Sequence, residues 1–264
     1  MSAVQSANLA LAVTPAALTI TQHEPAGAVI QVTNHTDRPV AIDLGINRRE
    51  NVELLITPPG GDAAWMRIPP REGGGRPGDL VLAPGETQTE AVFLDEWRAP
   101  REIGVHRYEP RLVALAFDGA PPAPVVASAA EVTVLPRDEA LLRRLCAELC
   151  DAAIAGADRE ARVAAATALA WIPDPIAVPF IDRALRDADG SIWLQLIPAL
   201  AAIDAVEAVE LLYREAVTDR GTRLPDSGRP PLARFFLHRM AHADRHLGDE
   251  ALWRRVDALF APPT

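Results

Sequence analysis

The sequence predicts two domains of different class, an antiparallel β-sandwich over residues 1–135 followed by a short stack of helical hairpins over residues 136–264. Three observations carry this reading. With 264 residues, 49% of them hydrophobic, the chain is long enough for two cores at roughly 100–200 residues per domain. From Leu9 to about Leu135 the apolar residues recur mainly with period two, broken often by glycine, proline, asparagine and aspartate. At Leu135-Pro136 that period gives way to a helical one, which marks the boundary.

In the first domain the strand pattern falls on Ala17-Thr21, Ala28-Thr33, Val40-Ile46, Val52-Ile56, Leu80-Leu82, Thr87-Leu94, Arg111-Phe117 and Ala130-Leu135. The alternation is plain in Val29, Gln31 and Thr33 against Ile30 and Val32, and Asn34-His35-Thr36-Asp37-Arg38-Pro39 is rich in turn formers, so these residues predict a hairpin. Short strands without an intervening helical period fit an antiparallel sandwich. The stretch Val29 to Val40 resembles the B-to-C hairpin of bacterial immunoglobulin-like domains, and Leu82-Ala83-Pro84-Gly85-Glu86 resembles their turn before a late strand. That resemblance covers about half of the domain and implies an immunoglobulin-like sandwich.

Between Thr57 and Asp79 lies an insert longer than a hairpin needs, holding Trp65 and Met66 and, further on, Gly73-Gly74-Gly75. Two readings stand for Trp65 and Met66: an apolar contact for a partner, or a cover over the open end of the sandwich core. The three glycines lead into Arg76-Pro77 rather than a helix start, so they read as a loop and not as a phosphate cradle.

Beyond the boundary, Arg137-Asp138-Glu139 opens a helix with Leu141, Leu142, Leu145, Leu149 and Ile154 on one face, and Gly156 ends it. Asp158 caps the next helix, Pro173-Asp174-Pro175 turns a corner, and another helix runs from about Ile176 to Asp187. The apolar positions then repeat: Leu169, Ile172, Val178, Phe180, Ile181 and Leu185 align with Leu200, Ile203, Val209, Leu211, Leu212 and Ala216, about 31 residues on. The hairpin unit, this apolar pattern and the corner aspartates Asp174 and Asp204 resemble HEAT-like repeats, including the short bacterial kind found in phycobilin lyases. The resemblance spans about 158–219 and implies a short α-solenoid, although Pro198 departs from a smooth helix. A third hairpin, from Leu232 to Phe260, would cap the stack.

In such stacks the second helix of each hairpin lines the inner surface. The repeat register then places Pro179, Asp182, Arg183 and Arg186, followed by Glu210, Tyr213 and Arg214, on an outward ridge. Arginine and tyrosine are favoured interface anchors, so the ridge reads as a docking surface whose arginines pair with a partner's carboxylates, or else as a mixed-charge helix face.

No catalytic set is legible. All 26 basic residues are arginine, which excludes a phosphate-binding Walker lysine, a Schiff base and a kinase-type lysine. No serine sits in a Gly-x-Ser-x-Gly elbow. Cys146 and Cys150 lie among leucines on one helix face, where they read as small core residues, a thiol site being the other reading. His238, His242 and His246 have the spacing of four that lets imidazoles converge on a metal, but successive steps drift around the axis by about 40° and Arg239 and Arg245 add positive charge. A solvated helix face is the simpler reading, and neither a metal nor a cofactor is expected.

A net charge of −10 argues against nucleic acid or an anionic membrane as the partner. No apolar run approaches the roughly 20 residues of a membrane span, and no basic residue precedes Arg38, so a cytoplasmic protein is expected, or a periplasmic or secreted one if a leader has been removed. The expected function is a non-catalytic scaffold or adaptor that binds a protein or peptide. An inhibitor or regulator acting through the Trp65 loop is the alternative, followed by a lyase-like enzyme using the helical groove.

Overall fold

Alternation of apolar and polar residues builds the first unit strand by strand. In the computed structural model, which describes residues 9–68, 78–113, 125–218, 232–243, 247–248 and 250–261, β1 (Leu9–Pro15) buries Leu9, Leu11 and Val13, and β3 (Gly27–Asn34) buries Ala28, Ile30 and Val32. The other strands are β2 (Thr19–Thr21), β4 (Val40–Asp43), β5 (Val52–Thr57), β6 (Ala64–Met66), β7 (Asp79–Leu82), β8 (Thr87–Phe93), β9 (Gly104–Leu112), β10 (Val125–Ser128) and β11 (Ala130–Leu135). They form a four-stranded sheet in the order β10-β1-β3-β8, a five-stranded sheet in the order β2-β11-β9-β5-β6, and the pair β4-β7. All three contribute to one hydrophobic core, with Leu11 and Ile30 from the first sheet, Leu54, Ile56 and Val132 from the second, and Ile42 and Leu82 from the pair.

The sheets are mixed rather than antiparallel throughout. β1 and β10 pair in parallel, and so do β2 and β11. β1 and β2 are separated only by residues 16–18, and β10 and β11 only by Ala129, so each of these two segments leaves the four-stranded sheet and joins the five-stranded one. Running side by side in the same direction, they pair in parallel along both sheets.

The expected hairpin at Asn34 is a corner instead. β3 pairs with β1 and β8, while β4 pairs with β7. The fully buried Asn34 side chain holds the bend: its amide donates to the carbonyls of Arg38 (2.8 Å) and Leu82 (2.9 Å), and its oxygen accepts from the Thr36 amide (2.9 Å) and hydroxyl (2.7 Å). These bonds satisfy the side chain internally and send the strand away from its own partner. Opposite, the amide of Gly85 donates to the Asn34 carbonyl (2.7 Å) from a φ of 78°, a conformation natural to glycine.

Two further expectations shift. Part of the insert after Thr57 is strand β6, paired with β5 through Leu54↔Met66, Leu55↔Trp65 and Ile56↔Ala64, while Gly73 to Gly75 lie outside the described residues. The strand expected at Arg111-Phe117 is centred earlier, on β9, whose inward positions are His106, Tyr108 and Pro110.

The second unit, Asp138–Thr264, contains α1 (Glu139–Ala155), α2 (Arg159–Ala170), α3 (Val178–Arg186), α4 (Gly190–Leu200), α5 (Val206–Thr218), α6 (Leu232–Ala243) and α7 (Glu250–Phe260); the first unit is Met1–Arg137. Aspartates set the starts. Asp138, Asp158 and Asp189 each accept a backbone amide in the first turn of α1, α2 and α4, and Asp174 accepts the Ile176 amide at 3.0 Å where a 3-10 turn, Pro175–Ala177, leads into α3. Helices α1, α3, α5 and α7 pack in succession, as do α2, α4 and α6, which gives two rows. Residues 31 apart are buried together, as in Leu169 with Leu200, Ile172 with Ile203 and Ile181 with Leu212. Pro198 sits within α4, where the carbonyl it leaves without a partner belongs to the exposed Leu194.

Asp95 supplies a test of the β unit. Burial raises its carboxyl to about 6 although its Oδ2 accepts the Ala26 amide at 2.8 Å. Since the folded-state value lies above the ordinary 3.8, the fold holds this proton more tightly than the unfolded chain does. Its contribution is therefore greatest below 3.8 and is lost as the pH rises through about 6. Between pH 4 and 7, chemical denaturation is expected to show wild type losing roughly 2–3 kcal/mol relative to Asp95→Asn; identical pH profiles would contradict it.

Candidate functional site

The residues expected on the ridge divide once their partners are seen. Pro179, Asp182, Glu210, Tyr213 and Arg214 line a groove of about 830 Å³ along α3, α5 and α7. Arg183 and Arg186 do not line it. The Arg183 guanidinium pairs with Asp151 of α1, and its Nε donates to the Cys150 sulfur at 3.2 Å. Arg186 donates to Asp182 Oδ2 at 2.8 Å, and Arg214 reaches across from α5 to Oδ1 of the same carboxylate. Burial opposes ionisation of Asp182, but these two arginines outweigh it and hold the carboxyl below its usual range. The ridge arginines are therefore committed within the chain.

Those pairs form a ladder along the row. Asp151–Arg183 ties α1 to α3, Asp182–Arg214 ties α3 to α5, and the Arg255 guanidinium stacks 4.5 Å from the Tyr213 ring, tying α5 to α7. The first two ties join residues 32 apart, a spacing that the repeat makes available in the sequence. The third could not be found that way, because residues 219–231 interrupt the period before α6.

Sequence reasoning also missed Glu207 and Val217, which share the groove with Glu210. Glu207 and Glu210, three apart on one face of α5, are exposed, and among the described residues no hydrogen bond or ion pair engages either of them. Val178, Leu211 and the half-exposed Val217 supply apolar surface beside them. The groove thus combines an apolar lining and an aromatic ring with two carboxylates that no ion pair engages among the described residues and, on the α7 side, the Arg255 guanidinium over Tyr213.

In the β unit, Trp65 and Met66 do not form one patch. As neighbours on β6 they point to opposite faces: Met66 packs against the core, while Trp65 is 42% exposed. The Arg111 guanidinium lies 3.7 Å over the Trp65 ring and donates through Nε to Glu53 Oε2 at 2.8 Å, and Arg67 Nε donates to Glu53 Oε1 at 2.9 Å. Hydrogen bonding from Arg111, reinforced by Arg67, outweighs burial and holds the Glu53 carboxyl below its usual range.

Elsewhere, His238 and His242 bring their Nε2 atoms within 3.2 Å, and His246 lies outside the described residues. Among the described residues no three histidine, cysteine or acidic side chains converge on a point where a metal could sit. Burial pushes the Cys146 thiol up to about 12, away from thiolate chemistry. Among the described residues no helix is long and apolar enough to cross a membrane.

No protein-family profile matches the chain, and no curated protein matches it. Among solved structures it is similar to a CARDB domain from Pyrococcus furiosus in complex with di-metal ions, with 12% identity over 50% of this chain and 90% of that one, at a TM-score of 0.30. It is also similar to a β-glucosidase from Listeria innocua (11% identity, 49% of this chain, 16% of that one, TM-score 0.29). A third is the alkylpurine DNA glycosylase AlkC of Pseudomonas fluorescens (14%, 49% and 31%, TM-score 0.27). The chain thus spans a small part of either enzyme, and likeness at this level carries neither activity nor partner to it.

Because Asp182 sits between two exposed arginines, Asp182→Asn is expected to cost no more than about 1 kcal/mol at pH 7. Its stabilising effect belongs to the ionised form, whose folded-state value is lowered, so the cost should disappear as the pH falls below the ordinary carboxylate range. Urea denaturation at both pH values checks this, and a cost that persists in acid would place its role in packing.

Proposed function

We propose that the chain is a non-catalytic scaffold or adaptor, an immunoglobulin-like β-sandwich joined to a short HEAT-like solenoid, which holds a peptide segment of a protein partner in the groove of α3, α5 and α7. The sandwich reading is supported by sheets that share one core. The repeat reading is supported by residues 31 apart that are buried alike, and by the two rows of helices.

The observation that carries the functional reading is the charge balance of the groove. Asp182 is neutralised within the chain by Arg186 and Arg214, whereas Glu207 and Glu210 stand beside apolar surface with no partner among the described residues. A segment carrying arginine or lysine next to apolar side chains complements that lining, with the cation over the carboxylates and the apolar residue against the half-exposed Val217. This reverses the polarity expected from the ridge arginines, which are occupied. A regulator acting through Trp65 has less support, since that ring lies on a paired strand under Arg111 rather than at a loop tip.

Fluorescence anisotropy with a peptide library tests the proposal. Binders should be enriched in basic and apolar residues, should weaken with salt, and should lose at least about tenfold in affinity with Glu207→Lys combined with Glu210→Lys, fold being checked by circular dichroism. Binding with no preference for cations, or untouched by the double substitution, would reject the groove as the docking surface.

A further inference from the structure

The proposed groove does not account for His238 and His242, which lie in the second half of α6 on its exposed side. One helical turn apart, they place their Nε2 atoms 3.2 Å from each other, with ring centroids 4.4 Å apart. This contact is a hydrogen bond between the two rings. Two nitrogens bound tetrahedrally to zinc at about 2.0–2.1 Å stand about 3.3 Å from each other, so an ion can replace the shared proton with little change in their separation. The Phe260 ring of α7 meets the His238 ring edge-on at 5.2 Å and limits its rotation, which lowers the entropy lost on ligation. The nearest cation in sequence, Arg239, has its guanidinium 5.8 Å over the Phe235 ring.

We propose that His238 and His242 form a two-histidine site for a divalent late transition ion such as zinc, nickel or copper. Imidazole nitrogen favours these ions over magnesium or calcium, which take oxygen ligands. The ion accepts one lone pair from each Nε2 and completes its coordination with water, since both side chains are exposed. It crosslinks successive turns of α6, so its effect is to stabilise that helix. Each imidazole must be neutral to bind, so protons compete with the ion.

Isothermal titration of the full chain with zinc chloride in a non-coordinating buffer is the test, repeated on His238→Ala and His242→Ala, with His23→Ala and His35→Ala as controls. The expected result is one saturable site per chain, weakened at least about tenfold by either α6 substitution and unchanged in the controls. Nitrogen NMR of the wild type should show both ring Nε2 signals moving together as zinc is added, which does not depend on how the variants fold. Absence of saturable binding, affinity that survives either α6 substitution, or zinc-induced shifts confined to other histidines would overturn the site.

Discussion

The centre of the helical unit, α2 to α5, depends on one constraint, the return of its apolar residues 31 positions on. Once Leu169, Ile172 and Ile181 are buried together with Leu200, Ile203 and Leu212, α3 and α5 must lie in one row and α2 and α4 in the other. Hydrophobic burial sets this arrangement because it scales with the apolar area removed from water, whereas the exposed ion pairs along the row are each worth at most about 1 kcal/mol. The ladder of Asp151–Arg183, Asp182–Arg214 and Arg255 over Tyr213 therefore follows the packing and fixes its register; it does not drive it. A consequence for function comes with it. Arginines spent along the row leave the groove with the acidic character of Glu207 and Glu210.

In the β unit the same division holds between apolar burial and a few placed polar groups. Leu11, Ile30, Leu54 and Ile56 make the shared core, while Asn34 holds a corner by four internal hydrogen bonds and Glu53 of β5 binds Arg111 of β9 and Arg67, the residue after β6. Each of these polar groups is buried and satisfied, so loss of one partner would strand the other at a cost of about 1–3 kcal/mol. Trp65 is part of that construction, held flat beneath Arg111.

Much of the helical unit was legible from the sequence because its signals are local. Capping aspartates at Asp138 and Asp158, the corner at Asp174 and the apolar period all act within a few residues of where they are read. The strands were less legible. On β9 the inward positions are His106, Tyr108 and Pro110, which do not read as apolar, so the period-two signal fell on the wrong residues. The parallel pairings depend on where two distant segments change sheets, which no local pattern records. At the candidate site the ridge positions Asp182, Glu210, Tyr213 and Arg214 were found from the repeat, but the partners of the arginines are tertiary, and Arg255 lies beyond the interruption at 219–231.

The most direct measurement of the groove's role is hydrogen–deuterium exchange on the full chain, alone and saturated with a selected basic-apolar peptide. Slowed exchange in α5 and the facing turns of α3 and α7, with β6 unchanged, is the expected result. Protection confined to β6 and β9 around Trp65 and Arg111, with α5 unaffected, would contradict a function based in the helical groove.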